Sequence, residues 1–243
     1  MSEGGVLEGR VSVEAALKGG KREVSAVYIR EDKPHGETAR TERLAREAGV
    51  PVERKGAEFI DSHARGKTHG GVIAVVGERR YQTLAELLPT TGTPFVVMLD
   101  GIEDPFNLGS ALRCLYAAGA DGVVLRPRDW TSAASIVART SAGASELMLL
   151  AEADSALDAA RFFRERGLAI ACTAKRNAVP IYEADLTGPL FLVIGGERRG
   201  MSRGIVDKAD MRLWVPYGRT FAASLPTAAA AAVIAFEVMR QRR

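Results

Sequence analysis

Cysteine is almost missing from this chain. There are two, Cys114 and Cys172, in no CxxC pair, and the three histidines do not cluster. A disulfide scaffold and a Cys/His structural metal site are therefore disfavoured, no metal is expected, and a reducing cytoplasm fits. Long apolar runs are missing too: the longest, over residues 228–236, falls short of the roughly 20 residues a membrane span needs. The N-terminal segment is polar and has no signal-type apolar region. No G-x-G-x-x-G is present, which counts against a Rossmann-type nucleotide site. No repeat of solenoid length is visible. Neither sign of charge dominates: the net charge is +3 and the pI about 9.0. That balance permits an RNA partner without arguing for one. Arginine far outnumbers lysine, which suits bidentate phosphate contacts.

What is present is ordinary globular composition, 47% hydrophobic and 26% charged over 243 residues, enough for one large or two small cores. Up to residue 77 the pattern is a small mixed domain, with helices expected over 11–17 and 37–48 and strands over 24–29 and 71–76. Residues 1–80 hold fifteen Lys/Arg against thirteen Asp/Glu, so this part is close to neutral. Only Arg65-Gly66-Lys67-Thr68-His69-Gly70-Gly71 gathers donors in one loop. Such a loop can grip phosphate, although a solvated turn has the same composition. Residues 78–93 read as a linker with one short helix over 84–88 and a Pro/Thr/Gly boundary signal. From 94 onward strands (95–99, 122–125, 168–172, 191–194, 211–215) alternate with helices (108–118, 133–139, 155–166, 227–239). That alternation predicts an α/β, mainly parallel sheet.

Two strand ends stand out. Residues 191–194 run into Gly195-Gly196-Glu197-Arg198-Arg199-Gly200, and residues 211–215 run into Pro216-Tyr217-Gly218, with Ser224-Leu225-Pro226 opening the last helix. Glycine loops at strand ends are where open α/β sheets take ligands. A strand ending in G-x-E-x-x-G, then one ending in V-P, then S-L before a helix, resembles the last two motifs of the SpoU (TrmH-type) RNA ribose methyltransferases of the SPOUT superfamily. The family's first motif, an asparagine with an arginine six residues on, is matched by Asn107 and Arg113. Gly9-Arg10 with Glu14-Ala15-Ala16-Leu17, and His69-Gly70-Gly71-Val72, resemble the family's small substrate-binding domain. The resemblance implies domains over 1–77 (RNA-binding), 78–93 (linker) and 94–243 (methyltransferase), with a trefoil knot in the last.

It further implies transfer of a methyl group from S-adenosyl-L-methionine to a ribose 2′-hydroxyl, in ribosomal RNA foremost, by a cytoplasmic homodimer. The alternatives are an inactive RNA-binding relative and a tRNA methyltransferase. Arg113, Asn107, Glu197 and Ser224 become the catalytic set. Gly195, Val215, Leu225 and Thr173 become the cofactor set. Arg65, Lys67, His69 and Arg113 become the RNA set. From the residues alone, Asn107 reads as a helix N-cap and Arg113 as a solvated surface side chain with small neighbours, Gly109 and Ser110, beside it. Arginine stays protonated, so a phosphate-clamping role that lowers the hydroxyl pKa suits it better than that of a base. Glu197 is expected to orient Asn107 or Arg113. Ser141-Ala142-Gly143-Ala144 is expected to let loops approach closely. Pro226 stands where the family carries asparagine; Thr227 and Asn107 are the polar groups nearest in the motifs.

Overall fold

The computed structural model describes residues 5–66, 68–196, 201 and 203–243. They divide into two compact units, one holding the chain up to Arg80 together with Asp129–Leu147, the other Tyr81–Arg128 with Met148–Arg243.

The first unit runs β1 (Gly5–Glu8), α1 (Arg10–Gly19), β2 (Arg22–Arg30), α2 (His35–Glu47), β3 (Val52–Lys55), α3 (Ala57–His63) and β4 (Val72–Arg79). The strands form a sheet in the order β1-β4-β2-β3, antiparallel except for the edge pair β2–β3. Leu7, Val13, Val27, Ile29, Val72, Ala74 and Val76 make its core. Sequence patterning predicts α1, β2, α2 and β4. It misses β1, β3 and α3, which are short; Val52-Glu53-Arg54-Lys55 carries one apolar residue because it sits at a sheet edge and has little to bury.

Further along come β5 (Phe95–Asp100), α4 (Pro105–Ala117) and β6 (Gly122–Leu125), then α5 (Ala134–Thr140) and α6 (Ala144–Leu147). Those two helices belong to the first unit: Ala134 and Ala138 of α5 enter its core. Gly143 lies against α1, where a Cβ would stand 2.6 Å from the Ala15 Cβ. The small residues at 141–144 thus admit a helix, correcting the expectation of loop contact. Glu146 then enters a buried ion cluster. It accepts from Arg22 Nε (2.8 Å) and Nη2 (3.2 Å) and from the Ser145 hydroxyl (3.2 Å), with Arg79 Nη1 at 3.8 Å.

The second unit continues with β7 (Leu149–Glu152), α7 (Ala156–Arg164), β8 (Ala169–Thr173), β9 (Val179–Pro180), β10 (Leu190–Gly195), α8 (Arg203–Lys208), β11 (Met211–Trp214) and α9 (Thr227–Gln241). Its seven strands are all parallel, in the order β7-β6-β5-β10-β8-β11-β9. Both faces are covered, so the central strands are continuous apolar runs; every residue of β5 is buried. Val96, Met98, Ile170, Cys172, Phe191 and Val193 pack under Ala159, Ala160 and Phe163 of α7 and Ile205 of α8. Burial pushes the Cys172 thiol up to about 11, which leaves it protonated and inert. The opposite face is taken by α4, through Leu108, Leu112 and Leu115, and by α9. Within 78–93, Gln82 exchanges backbone and side-chain bonds with Leu150 of β7, and Leu87 is buried over Gly122. The end of α9 is pinned: Arg242 donates to the carbonyls of Leu186 (3.1 Å), Thr93 (2.8 Å), Pro94 (3.4 Å) and Gly188.

Substituting Glu146→Gln removes the carboxylate that pairs with the buried Arg22 guanidinium. The first unit should lose about 3–5 kcal/mol, read as an earlier denaturant transition. A midpoint equal to the parent's would show that the cluster is not needed for stability.

Candidate functional site

Parallel register brings the sequence-predicted positions to one edge. Gly195 pairs with Asp100 at the end of β5 and β10, Val193 with Cys172, and Leu213 with Thr173. Gly195, Thr173 and Val215 therefore lie at the carboxyl ends of the neighbouring strands β10, β8 and β11, where an open sheet binds ligands. Gly196 has to be glycine: a Cβ there would stand 2.3 Å from the Gly101 carbonyl oxygen. Its N–H donates to Asp100 O at 2.7 Å, which welds the two strand ends together. Asp100, 4% exposed, is ion-paired to Arg126 Nε at 2.7 Å. Sequence reading missed this pair, because Asp100 and Arg126 meet only through the register of β5 and β6.

The helix α4 starts at this edge. Its N-cap is Asp104, which accepts from the Asn107 N–H at 2.8 Å, and Pro105 occupies the first helical position. The assignment of Asn107 as N-cap is thus corrected; Asp-Pro at 104–105 was the readable signal. Asn107 sits in the first turn, beside the strand ends. Arg113 lies six residues further on, roughly 9 Å along the axis, exposed and without a hydrogen bond or ion pair among the described residues. The structure does not bring Arg113 to Asn107. Glu197 lies outside the described residues, as does Lys67.

The loop after β11 closes the edge. The Leu225 N–H donates to the Tyr217 hydroxyl at 3.1 Å, and Ser224 is exposed. Pro226 is the N-cap of α9, with ψ of 146°, and its carbonyl accepts from Ala230 at 3.0 Å. Thr227 is only 3% exposed, and its hydroxyl donates to Gly195 O at 3.4 Å. It braces the glycine loop from beneath, so of the two polar groups nearest Pro226 in the motifs, Thr227 is turned to the backbone.

In the first unit, the Arg65 N–H donates to Glu8 Oε1 at 2.8 Å and its guanidinium reaches the Ser132 carbonyl, while the residue stays exposed. His69 is 5% exposed. Its Nδ1 accepts from the Gly71 N–H (3.1 Å), so Nε2 carries the proton toward Asp61 Oδ1 (3.1 Å). Both nitrogens are thus engaged with partners inside the first unit.

An all-parallel sheet with Gly195 and Gly196 at its central strand end, in a chain that also carries a small mixed-sheet unit, defines a two-module α/β protein. The residues present fit S-adenosylmethionine in kind: Gly195 and Gly196 bring no side chain to the strand end, so a ligand there would meet neutral backbone rather than charge. The chain belongs to the SpoU rRNA Methylase family, whose model matches residues 94–236; the model for RNA 2′-O ribose methyltransferase substrate binding matches residues 6–82. It is accordingly an S-adenosylmethionine-dependent RNA 2′-O-ribose methyltransferase. It is 32% identical to the 23S rRNA (guanosine-2′-O-)-methyltransferase RlmB of Pseudomonas putida over 248 residues, covering 100% of this chain and 99% of the relative. The RlmB of Shewanella oneidensis is 28% identical, with 100% of both chains covered. Among solved structures, the AdoMet-bound rRNA methyltransferase from Sinorhizobium meliloti superposes with a TM-score of 0.81 at 26% identity, over 98% of this chain and 88% of that one.

Gly196→Ala should push apart the ends of β5 and β10. Affinity for S-adenosylmethionine should fall at least tenfold in calorimetric titration, with a stability loss of about 1–3 kcal/mol. Unchanged cofactor affinity would remove this loop from the cofactor cradle.

Proposed function

We propose that this chain methylates the 2′-hydroxyl of a guanosine in 23S ribosomal RNA, in the cytoplasm, as a homodimer. The observation that carries the reading is similarity over its whole length, substrate module included, to relatives of that named activity. The domains proposed are residues 1–77 for RNA binding and 94–243 for catalysis, joined through 78–93. We read the second unit as a trefoil knot: β10 inserts between β5 and β8, and the chain leaves β11 on the far side of β8, yet returns as α9 onto α4.

Gly195, Val215, Leu225 and Thr173 are the residues proposed to hold the cofactor. When bound, S-adenosylmethionine supplies an electrophilic methyl group on a sulfonium. The chain's own residues must then orient the ribose and ease loss of its hydroxyl proton. Arg113, with free donors and a permanent charge, is suited to clamp the phosphate next to the target ribose and stabilise the developing alkoxide. Asn107, in the first turn of α4, and the exposed Ser224 hydroxyl stand at the strand-end edge and can hold the ribose. Glu197 is proposed to orient this set. Arg65 and Lys67 are proposed to meet RNA in the first module.

The dimer reading rests on exposed aromatics on the paired helices: Phe106 and Tyr116 on α4 and Phe236 on α9 are 59%, 45% and 42% exposed. Ala231, by contrast, is fully buried, and the small residues of α9 serve its packing on α4 within the chain.

Two outcomes follow. Arg113→Ala should lower methyl transfer to 23S rRNA by about 10²–10³-fold while S-adenosylmethionine affinity stays within a few-fold; nucleoside mass spectrometry of the product RNA identifies the methylated residue. Full turnover by the variant would take Arg113 out of the mechanism, and a methyl group on tRNA instead would overturn the assignment of 23S rRNA. Phe236→Glu should shift the chain to monomer in light scattering without loss of fold; a parent chain that is already monomeric at micromolar concentration would end the dimer reading.

A further inference from the structure

The first unit holds a cleft of about 610 Å³ at the start of α1. The first intrahelical bond of α1 is donated by Val13 to Gly9 O, at 3.1 Å. The N–H groups of Arg10, Val11 and Ser12 therefore precede the ladder and face out of the helix end. No side chain caps them, and the first turn holds no acidic residue. Such an end carries partial positive charge and accepts anions.

A second observation points to a ligand. Ser12 lines the cleft, is 2% exposed, and has no hydrogen-bond partner among the described residues. A hydroxyl on a residue this buried, with no protein partner among the described residues, can take an acceptor from within the cleft. Three cations also line it: Arg10, Lys33 and Arg139. Arg139 spends only Nη1, on Thr68 Oγ1 (2.8 Å) and Glu8 Oε2 (3.1 Å), so Nε and Nη2 remain unpartnered among the described residues. Lys33 Nζ stands a loose 3.7 Å from Glu37 Oε2. Of the two carboxylates in the lining, Glu8 is fully buried, accepts the Arg65 N–H through Oε1 and is ion-paired with Arg139 through Oε2, which makes no hydrogen bond among the described residues; Glu37 is 61% exposed on α2. Three cations and a helix end against two carboxylates suit a singly charged anion.

We propose that this cleft binds one backbone phosphodiester of the substrate RNA, and that residues from both family-matched stretches build it within the first unit. Arg10, Ser12, Lys33 and Thr68 come from the stretch matched as substrate-binding, and Arg139 from the stretch matched as methylase. The inference rests on the RNA methyltransferase reading and deepens it.

The test uses the full chain, deproteinised 23S rRNA in filter binding across a KCl titration, and two variants. Val11 is 55% exposed, so Val11→Asp places a carboxylate in the first helical turn. That favours the fold but repels phosphate. RNA affinity should fall about tenfold, with melting temperature and S-adenosylmethionine affinity equal to the parent's or higher. Lys33→Gln should make the log–log salt slope shallower by about one. If Val11→Asp misfolds, the Lys33→Gln slope decides. Parent-like RNA binding by a folded variant overturns the proposal. Inorganic phosphate should weaken RNA binding by the parent more than KCl of equal ionic strength does, and no more than KCl in Val11→Asp; phosphate that binds the parent without weakening RNA binding assigns the cleft to free phosphate and overturns the RNA assignment. A parent chain that leaves 23S rRNA unmethylated but shows the variant pattern refutes the target assignment and supports the cleft.

Discussion

The close approach of two strand ends is the constraint on which the second unit depends. Gly196 lies against Gly101 at a distance no side chain tolerates, and the Gly196 N–H to Asp100 bond of 2.7 Å fixes it. From that weld β10 must sit beside β5, although β6, β7, β8 and β9 lie between them in the chain. With β10 in the middle, β8 and β11 fall on its far side and their ends, Thr173 and Val215, come level with Gly195. Thr227 braces the same glycine from below. The parallel hydrogen-bond register thus places positions more than forty residues apart on one edge, with no need for the charged ligands that a Rossmann fingerprint supplies.

The first unit has its own anchor, Glu146. Removing a carboxylate from water costs several kcal/mol, and Arg22, Arg79 and Ser145 supply the counter-charge and donors that offset it. Since Glu146 and Arg139 lie within the stretch matched by the methylase model, the recruiting module is completed by residues that family boundaries assign elsewhere. A cut near Thr93 would strip α5 and α6 of the sheet against which Ala134 and Ala138 are buried. Loss of RNA affinity in such a fragment would therefore report exposed core as well as a missing RNA surface.

Most of the second unit was legible because buried parallel strands are unbroken apolar runs: Gly122–Leu125 is found at its expected bounds, and the other predicted strands lie within one or two residues of theirs. The motifs added the edge to which Gly195, Val215 and Thr173 belong. What failed to show was whatever depends on partners distant in sequence. β1 and β3 are four-residue strands that exist because β4 and β2 are there to pair with them. The Asp100–Arg126 pair and the Glu146 cluster follow from register and packing alone. The partners of His69 were equally hidden, because the Asp61 carboxylate that meets its Nε2 is brought there by the fold.

Pro226 shows how a local departure propagates. As N-cap of α9 it needs no donor, since the N–H it lacks would have no helical partner there, and its carbonyl still accepts from Ala230. The backbone thus tolerates proline, and only the amide side chain of the family's asparagine is gone. Thr227 cannot supply the missing group, because a hydroxyl 3% exposed and turned to Gly195 belongs to the fold. Of the motif residues at this edge, Ser224 is the exposed hydroxyl two positions before the proline, and Asn107 carries an amide in the first turn of α4. Under the proposed function, the residues left for the polar work of that asparagine are Asn107, carried by a helix start, and Ser224, carried by a loop tied back through the Leu225 N–H to Tyr217.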